Sequence, residues 1–175
     1  MNRIDDILQF WFGPKGAPDE RREAWFKVDA AFDDATRRNF GDEVEAALAD
    51  ENLALILLLD QFTRNLFRGD AKAFAGDARA LRLAKSALAR GHDCELGEIR
   101  RGFLYLPFEH SESPADQERS VELFEALGDE VSLDFAIRHR DVIARFGRFP
   151  SRNQTLGRDS TPDEIAFLKQ TPLGF

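Results

Sequence analysis

The sequence predicts an all-α chain of eight or nine helices forming one domain over residues 1–175. Three observations carry this. Apolar residues recur every three or four positions along most of the chain, which places them on one face of a helix. No segment alternates apolar and polar residues strictly, as a half-buried strand would. Helix start and stop signals follow one another closely, leaving short loops and a core made by packing helix on helix.

Ile4, Ile7, Leu8 and Trp11 mark an amphipathic helix over about 3–12, closed by Gly13-Pro14-Lys15-Gly16. Asp19 is placed to cap a short helix reaching Trp25 and Phe26. Asp29 is placed to cap another, with Phe32, Thr36 and Phe40 on one side. Gly41 and Asp42 read as a restart, after which Val44, Ala47 and Leu48 point inward. The stretch from Asn52 to Asp60 is apolar on every face, which marks a central helix. A buried strand competes for these residues. The absence of a turn signal before Gly69 favours a helix of about 16 residues with that glycine as C-cap.

Residues 74–90 form the next helix, with Phe74, Asp77 or Ala78, Leu81, Ala84 and Leu88 inside and Gly91 at its end. Residues 98–106 follow, and the helix should bend or stop at Pro107, which lacks an N–H and clashes with the preceding turn. Ser113, Pro114 and Asp116 have the form of an N-cap, a first-position proline and a first-turn acid. Val121, Phe124 and Leu127 share one face of that helix, and Gly128 stops it. Another helix spans about 132–146 and ends at Gly147. Thr161-Pro162-Asp163-Glu164 is a capping box that opens the last helix, with Phe167 and Leu168 turned inward.

Composition narrows the function. Hydrophobic residues make up 43% of the chain and include 16 Phe, enough for one large aromatic core. A net charge of -8 repels phosphate backbones, so no nucleic-acid partner is expected. The single cysteine, Cys94, expected in a loop, excludes an intramolecular disulfide and a Cys-rich metal centre. It fits a reducing compartment. The N-terminus carries charges where a signal peptide needs an apolar run. The aliphatic run 53–59 is far shorter than the ~20 residues of a membrane span. A soluble cytoplasmic protein without membrane contact is expected.

The candidate chemistry lies in three places. Asp60, Arg64 and Arg68 share a helix face at i, i+4 and i+8, with Gln61 and Asn65 on the adjacent stripe. Arginine offers a rigid donor fork suited to carboxylate or phosphate, so this face is either an anion site or a set of ion pairs locking helices together. Asp77 falls in an apolar stripe and needs a partner, for which Arg64 or Arg148 would serve. Next, Glu109-His110-Ser111-Glu112 sets a carboxylate beside an imidazole, which can tune the imidazole as an acid or base. Equally, His110 can simply bond carbonyls freed near Pro107. His139 lies at a core-facing offset from Phe135, Val142, Ile143 and Phe146 and reads as a core histidine bonded to a neighbour. Last, Arg148, Arg152 and Asn153 fan out beyond a helix C-terminus among Phe146, Phe149 and Pro150, a pattern suited to an anion clamp. His92, His110 and His139 are the only histidines, and no metal motif links them, so no metal is expected. No phosphate loop, nucleophile elbow or dinucleotide fingerprint is present, and no cofactor is expected.

Three strings together carry a resemblance: residues 58–68 (LLDQFTRNLFR), 103–112 (FLYLPFEHSE) and 146–153 (FGRFPSRN). With Phe10-Trp11-Phe12-Gly13, Leu156-Gly157-Arg158 and Ser160-Thr161, they resemble the bacterial family known as domain of unknown function 924 along nearly the whole chain. The resemblance implies an all-helical, tetratricopeptide-like superhelix and no established activity. Ser151 stands where the family usually has His between Pro and Arg-Asn. If that His were an acid or a metal ligand, this chain would lack it.

Taken together, the expectation is a right-handed stack of antiparallel helical hairpins. Its concave side would carry Asp60, Arg64, Asn65, Glu109, His110, Arg148, Arg152 and Asn153. The first functional reading is binding of a small anionic ligand or a peptide carboxylate. Arg64, Arg148 and Arg152 would hold the charge, Asn65 and Asn153 would orient it, and Phe12, Trp25 and Tyr105 would act as walls or as core. The second is an enzyme with Glu109 and His110 as its acid–base pair. The third, by fold analogy alone, is a protein-interaction module. Oligomeric state is not legible.

Overall fold

The computed structural model of the chain describes residues 3–18, 20–25, 28–46 and 53–171. Asp19, Phe26, Ala47, Leu48 and Asn52, which the sequence assigns to helices, lie outside them, as does the side chain of Val44. Helix α1 is Arg3–Phe12, α2 Ala30–Ala46 and α3 Leu53–Leu57. A π-helical turn, Leu58–Phe62, joins α3 to α4, Thr63–Leu66. There follow α5 (Asp77–Ala89), α6 (Glu98–Glu109), α7 (Pro114–Leu127), α8 (Glu130–Phe146) and α9 (Pro162–Gln170). With α3, the π turn and α4 taken as the continuous helix they form, there are eight helices among the described residues, joined in places by short 3₁₀ turns. No strand occurs among those residues.

Local signals set most boundaries. Asp29 Oδ1 accepts from the N–H groups of Ala31 and Phe32 at 3.0 Å each, capping α2. Asp129 does the same for Val131 and Ser132, starting α8 two residues before the sequence expectation. The Thr161–Glu164 capping box is present in both directions. Gly128 and Gly147 end α7 and α8 in the left-handed conformation.

Several expectations are corrected. The central helix ends at Leu66 with Phe67, not Gly69, as its C-cap, and α5 begins at Asp77 rather than at Phe74, which lies in a separate 3₁₀ turn. α2 runs straight through Gly41 and Asp42 rather than restarting there. α6 passes through Pro107 and ends at Glu109, not near Leu106. Pro107 sits in the last turn, so only the one i→i−4 bond its N–H would have made to the carbonyl of Phe103 is lost, and His110 N–H reaches Leu106 O at 2.9 Å beyond it. Buried Phe103, Leu104 and Phe108 hold that turn in the core.

The central helix packs on α1, α2, α5 and α6, while α6, α7 and α8 pack on their sequence neighbours. The core is correspondingly divided. One aromatic cluster joins Trp11, Phe12, Trp25, Phe40, Phe62 and Phe103. Trp11 and Trp25 stack there with ring centres 6.0 Å apart, and Phe103 meets Trp25 edge-on at 4.9 Å. A second cluster gathers Leu104, Tyr105, Phe108, Leu123 and Phe124. Phe12, Trp25 and Tyr105 are thus core residues, exposed by 8% or less.

The π turn falls at the polar end of the central helix. Such a turn displaces the regular carbonyl ladder, and the displaced groups need partners. Thr63 Oγ1 donates to Leu59 O at 2.8 Å, and Arg64 Nη1 donates to Asp60 O at 2.7 Å.

Candidate functional site

Asp60 is the centre of a charged cluster and is 1% exposed. His110 Nδ1 lies 2.7 Å from Asp60 Oδ1, and Gln61 Nε2 donates to Asp60 Oδ2 at 2.6 Å. Arg64 Nη1 reaches the same Oδ1 at 3.2 Å. Burial alone would raise the Asp60 carboxyl. His110, Arg64 and the hydrogen bonds from His110 and Gln61 outweigh that and hold it well below the usual carboxylate range. An ionised carboxylate only accepts, so Nδ1 carries the imidazole proton and Nε2 keeps its lone pair. Nε2 bonds no described residue, and the His110 side chain keeps 13% exposure. Burial, then the Arg64 guanidinium, push His110 below its ordinary value against the pull of Asp60. The imidazole is neutral at pH 7.

The backbone around His110 is gripped from outside its own helix. Gln117 Nε2, on fully buried Gln117 of α7, donates to Glu109 O and Ser111 O at 2.6 Å each. Arg152 Nη2 donates to His110 O at 3.0 Å. Three successive carbonyls are therefore fixed, and the ring between them is aimed.

Arg64 spreads its fork over Asp77, Nη1 to Oδ1 at 2.8 Å and Nη2 to Oδ2 at 2.9 Å. Arg152 shares that carboxylate through one longer contact, 3.3 Å. Its guanidinium lies between the rings of Phe149 and Phe74, 4.4 and 4.8 Å from their centres. Arg152 Nε bonds no described residue. Burial, then repulsion from Arg64, lower Arg152 to about 10.

Glu109 completes the cluster. It is 5% exposed, and its carboxyl accepts no hydrogen bond from a described residue. Burial, then the Asp60 charge, push it up to about 8 against the pull of Arg64. His139 Nδ1 lies 3.5 Å from Glu109 Oε1, but that nitrogen already bonds Phe135 O at 2.8 Å. Burial lowers His139 to about 3. At pH 7 this is a carboxylic acid beside a neutral imidazole, not an ion pair.

The structure brings together Asp60, Arg64, Glu109, His110 and Arg152. It places the other four residues singled out in the sequence elsewhere. Arg148 gives its fork to Glu164 at 2.7 and 2.9 Å, tying the α8 exit to the α9 cap. Asn153 is fully buried and donates to Ser160 Oγ. Asn65 lies beside Arg68, which binds Asp33 of α2. Tyr105 donates to Asp93 Oδ2 and packs edge-on against Phe124. Arg148 and Asn153 leave the set because their partners, Glu164 and Ser160, come later in the chain with nothing in the local sequence to announce them. Gln117 and the Phe74 ring were not anticipated. The one signal for Gln117 is a polar residue in the otherwise core-facing stripe of α7.

Among the described residues, no group of three or more His, Cys, Asp or Glu could hold a metal ion. No helix among them is long and apolar enough to cross a membrane. A groove of about 140 Å³ lined by Trp25, Ile99, Phe103, Leu106, Phe124 and Leu127, with the Arg21–Asp129 pair, shares no residue with the cluster.

Known proteins place the chain by family rather than by activity. A solved structure from Agrobacterium tumefaciens, of the protein of unknown function ATU0120, is 42% identical, with a TM-score of 0.83. The match covers 96% of this chain and 97% of that one. No curated protein matches the chain. The family model for bacterial protein of unknown function DUF924 matches residues 7–172, and the chain belongs to that family.

Proposed function

We propose that the chain is an acid–base catalyst acting on a small anionic molecule. His110 is the base. Asp60 fixes its tautomer and would stabilise the imidazolium formed when Nε2 takes a proton. Glu109 is the acid, still protonated at pH 7 because it is pushed up to about 8. Two titratable groups in one cluster driven to opposite forms at neutral pH are a workable acid–base assignment. Arg152 anchors the anion. The forks of Arg64 and Arg148 are filled by Asp77 and Glu164, whereas Arg152, lying between two aromatic rings, gives Asp77 one long contact and His110 O one bond, and its Nε bonds no described residue. The reading rests above all on the Asp60–His110 contact with Nε2 bonded to no described residue.

With this reading go two subsidiary ones. The packing of α6, α7 and α8 on one another is taken as a tetratricopeptide-like hairpin stack. The lone, exposed thiol of Cys94 is taken to indicate the reducing cytoplasm.

The test is a panel of small carboxylates and phosphate esters followed by NMR. The expected result is consumption of at least one compound, slowed about 100-fold or more in His110→Ala with the helical circular dichroism unchanged. The rate should fall at alkaline pH as Glu109 ionises. Equal turnover by wild type and His110→Ala overturns the assignment. Anion stabilisation that is as large in Arg152→Gln as in wild type removes the anchor.

A further inference from the structure

We propose that Gly76 is a positioning residue for this cluster: its missing side chain lets α5 begin directly against the π turn, and so delivers Asp77 to both arginines. Gly76 is buried and has φ -85° and ψ -16°, a backbone conformation open to any residue. Glycine is therefore not required by the dihedral angles. It is required by a close approach. A Cβ built at this position would fall 2.1 Å from Leu59 O, 2.8 Å from Leu59 C and 2.9 Å from Leu59 Cα. These are backbone atoms of the π turn and cannot rotate aside. A side chain at 76 must drive the two segments apart until that 2.1 Å gap exceeds the 3.0 Å that Cβ contacts respect.

What the approach achieves is readable from the neighbours on either side. Leu59, touched by Gly76, precedes Asp60, which holds His110. Asp77, which follows Gly76, is the first residue of α5 and holds Arg64 with both oxygens and Arg152 with one. The glycine also forgoes a benefit. It occupies the N-cap of α5, where Ser, Asp or Asn would normally accept a backbone N–H, and no side chain caps that helix. Gly102 provides the contrast. A Cβ there meets only Leu127 Cδ2 and Phe124 Cε1 at 3.9 Å, an ordinary contact.

The inference rests on the acid–base reading only for its effect on turnover; its structural content is tested separately. Gly76→Ala, Asp77→Asn and Gly102→Ala are compared by long-range ¹H–¹⁵N NMR of the His110 ring across a pH titration, with circular dichroism as the check on folding. Asp77 supports the protonated form of His110, so both Gly76→Ala and Asp77→Asn should move the His110 midpoint to lower pH, while Gly102→Ala leaves it in place. A folded Gly76→Ala with the wild-type midpoint overturns the proposal. If Gly76→Ala does not fold, Asp77→Asn decides: an unmoved midpoint overturns the proposal and a downward shift upholds it. Where a substrate is in hand, Gly76→Ala should lower turnover about 100-fold, the usual cost of a misplacement near 1 Å. Absence of turnover in every protein, wild type included, counts against the acid–base reading and leaves the titration result standing.

Discussion

Two arginine–carboxylate clusters lie side by side and differ in what they leave unsatisfied. At the C-terminal lock, Glu112 takes the Arg158 fork at 2.8 and 3.0 Å and also the Phe149 N–H at 2.8 Å. Glu164 takes the Arg148 fork and the Thr161 N–H. Both carboxyls are held low, Glu164 at about 2 chiefly by its Arg148 hydrogen bonds, and Glu112 by Arg158 against the effect of burial. Acids of one kind, each met by a fork and a backbone donor, make a fastening. Around His110 the acids are split: Asp60 is forced to ionise while Glu109 is forced to keep its proton. Among the described residues, the same residue types there leave a lone pair on Nε2 and a carboxylic acid without a hydrogen bond. Counting arginines and acids does not separate a lock from a site; the direction in which each group is driven does.

The contrast can be broken most forcefully at the dyad. His110→Ala should reduce turnover of any substrate found by about 10²–10⁴-fold, and Asp60→Asn should do the same while also releasing the ring's fixed tautomer. Arg148→Ala, in the lock, should leave turnover within about twofold while weakening the fold. An equal loss from both would erase the distinction between the regions.

Phe149 borders both clusters. Its ring packs on His139 and Arg152, and its N–H and C=O bond Glu112 and Arg158. Fully buried, it should cost about 3–5 kcal/mol on truncation to Ala, measured by urea unfolding. A cost below about 1 kcal/mol would show that the site and the lock are not joined through it.

The raised Glu109 carboxyl makes stability depend on pH. Between its ordinary 4.5 and about 8, the folded state holds a proton that the unfolded state has released. Its stabilising contribution is thus complete at low pH and lost as pH rises through that window. Glu109→Gln should flatten this slope and be more stable than wild type above pH 8. A wild-type profile unchanged by the substitution would place Glu109 with the ordinary, ionised acids of the lock.

The smallest effect belongs to the cap of α9. Thr161→Ala removes one half of the capping box and should cost about 1 kcal/mol, with no change in the His110 titration.

Helix existence was legible because it depends on local signals. Asp29, Gly128, Gly147 and the Thr161–Glu164 box set boundaries through bonds to residues within four positions. The dyad was half legible. Asp60 and His110 both drew notice, but they are 50 positions apart, and nothing in either segment states that one will hold the other. The proline rule misjudged α6 because tertiary burial of Phe103 and Phe108 overrode a single lost hydrogen bond. The π turn and the Gly76 contact were invisible, since both are properties of backbone atoms in two segments meeting. Arg148 and Arg152, four residues apart and alike in sequence, diverge because Glu164 reaches one and only a shared Asp77 reaches the other.

The most direct measurement is the nitrogen chemistry of His110 at pH 7, read by long-range ¹H–¹⁵N NMR on selectively labelled protein. A proton on Nδ1 and a bare lone pair on Nε2, with the preference lost in Asp60→Asn, is the expected result. A proton resident on Nε2, or a doubly protonated ring at that pH, would contradict the base assigned to this site.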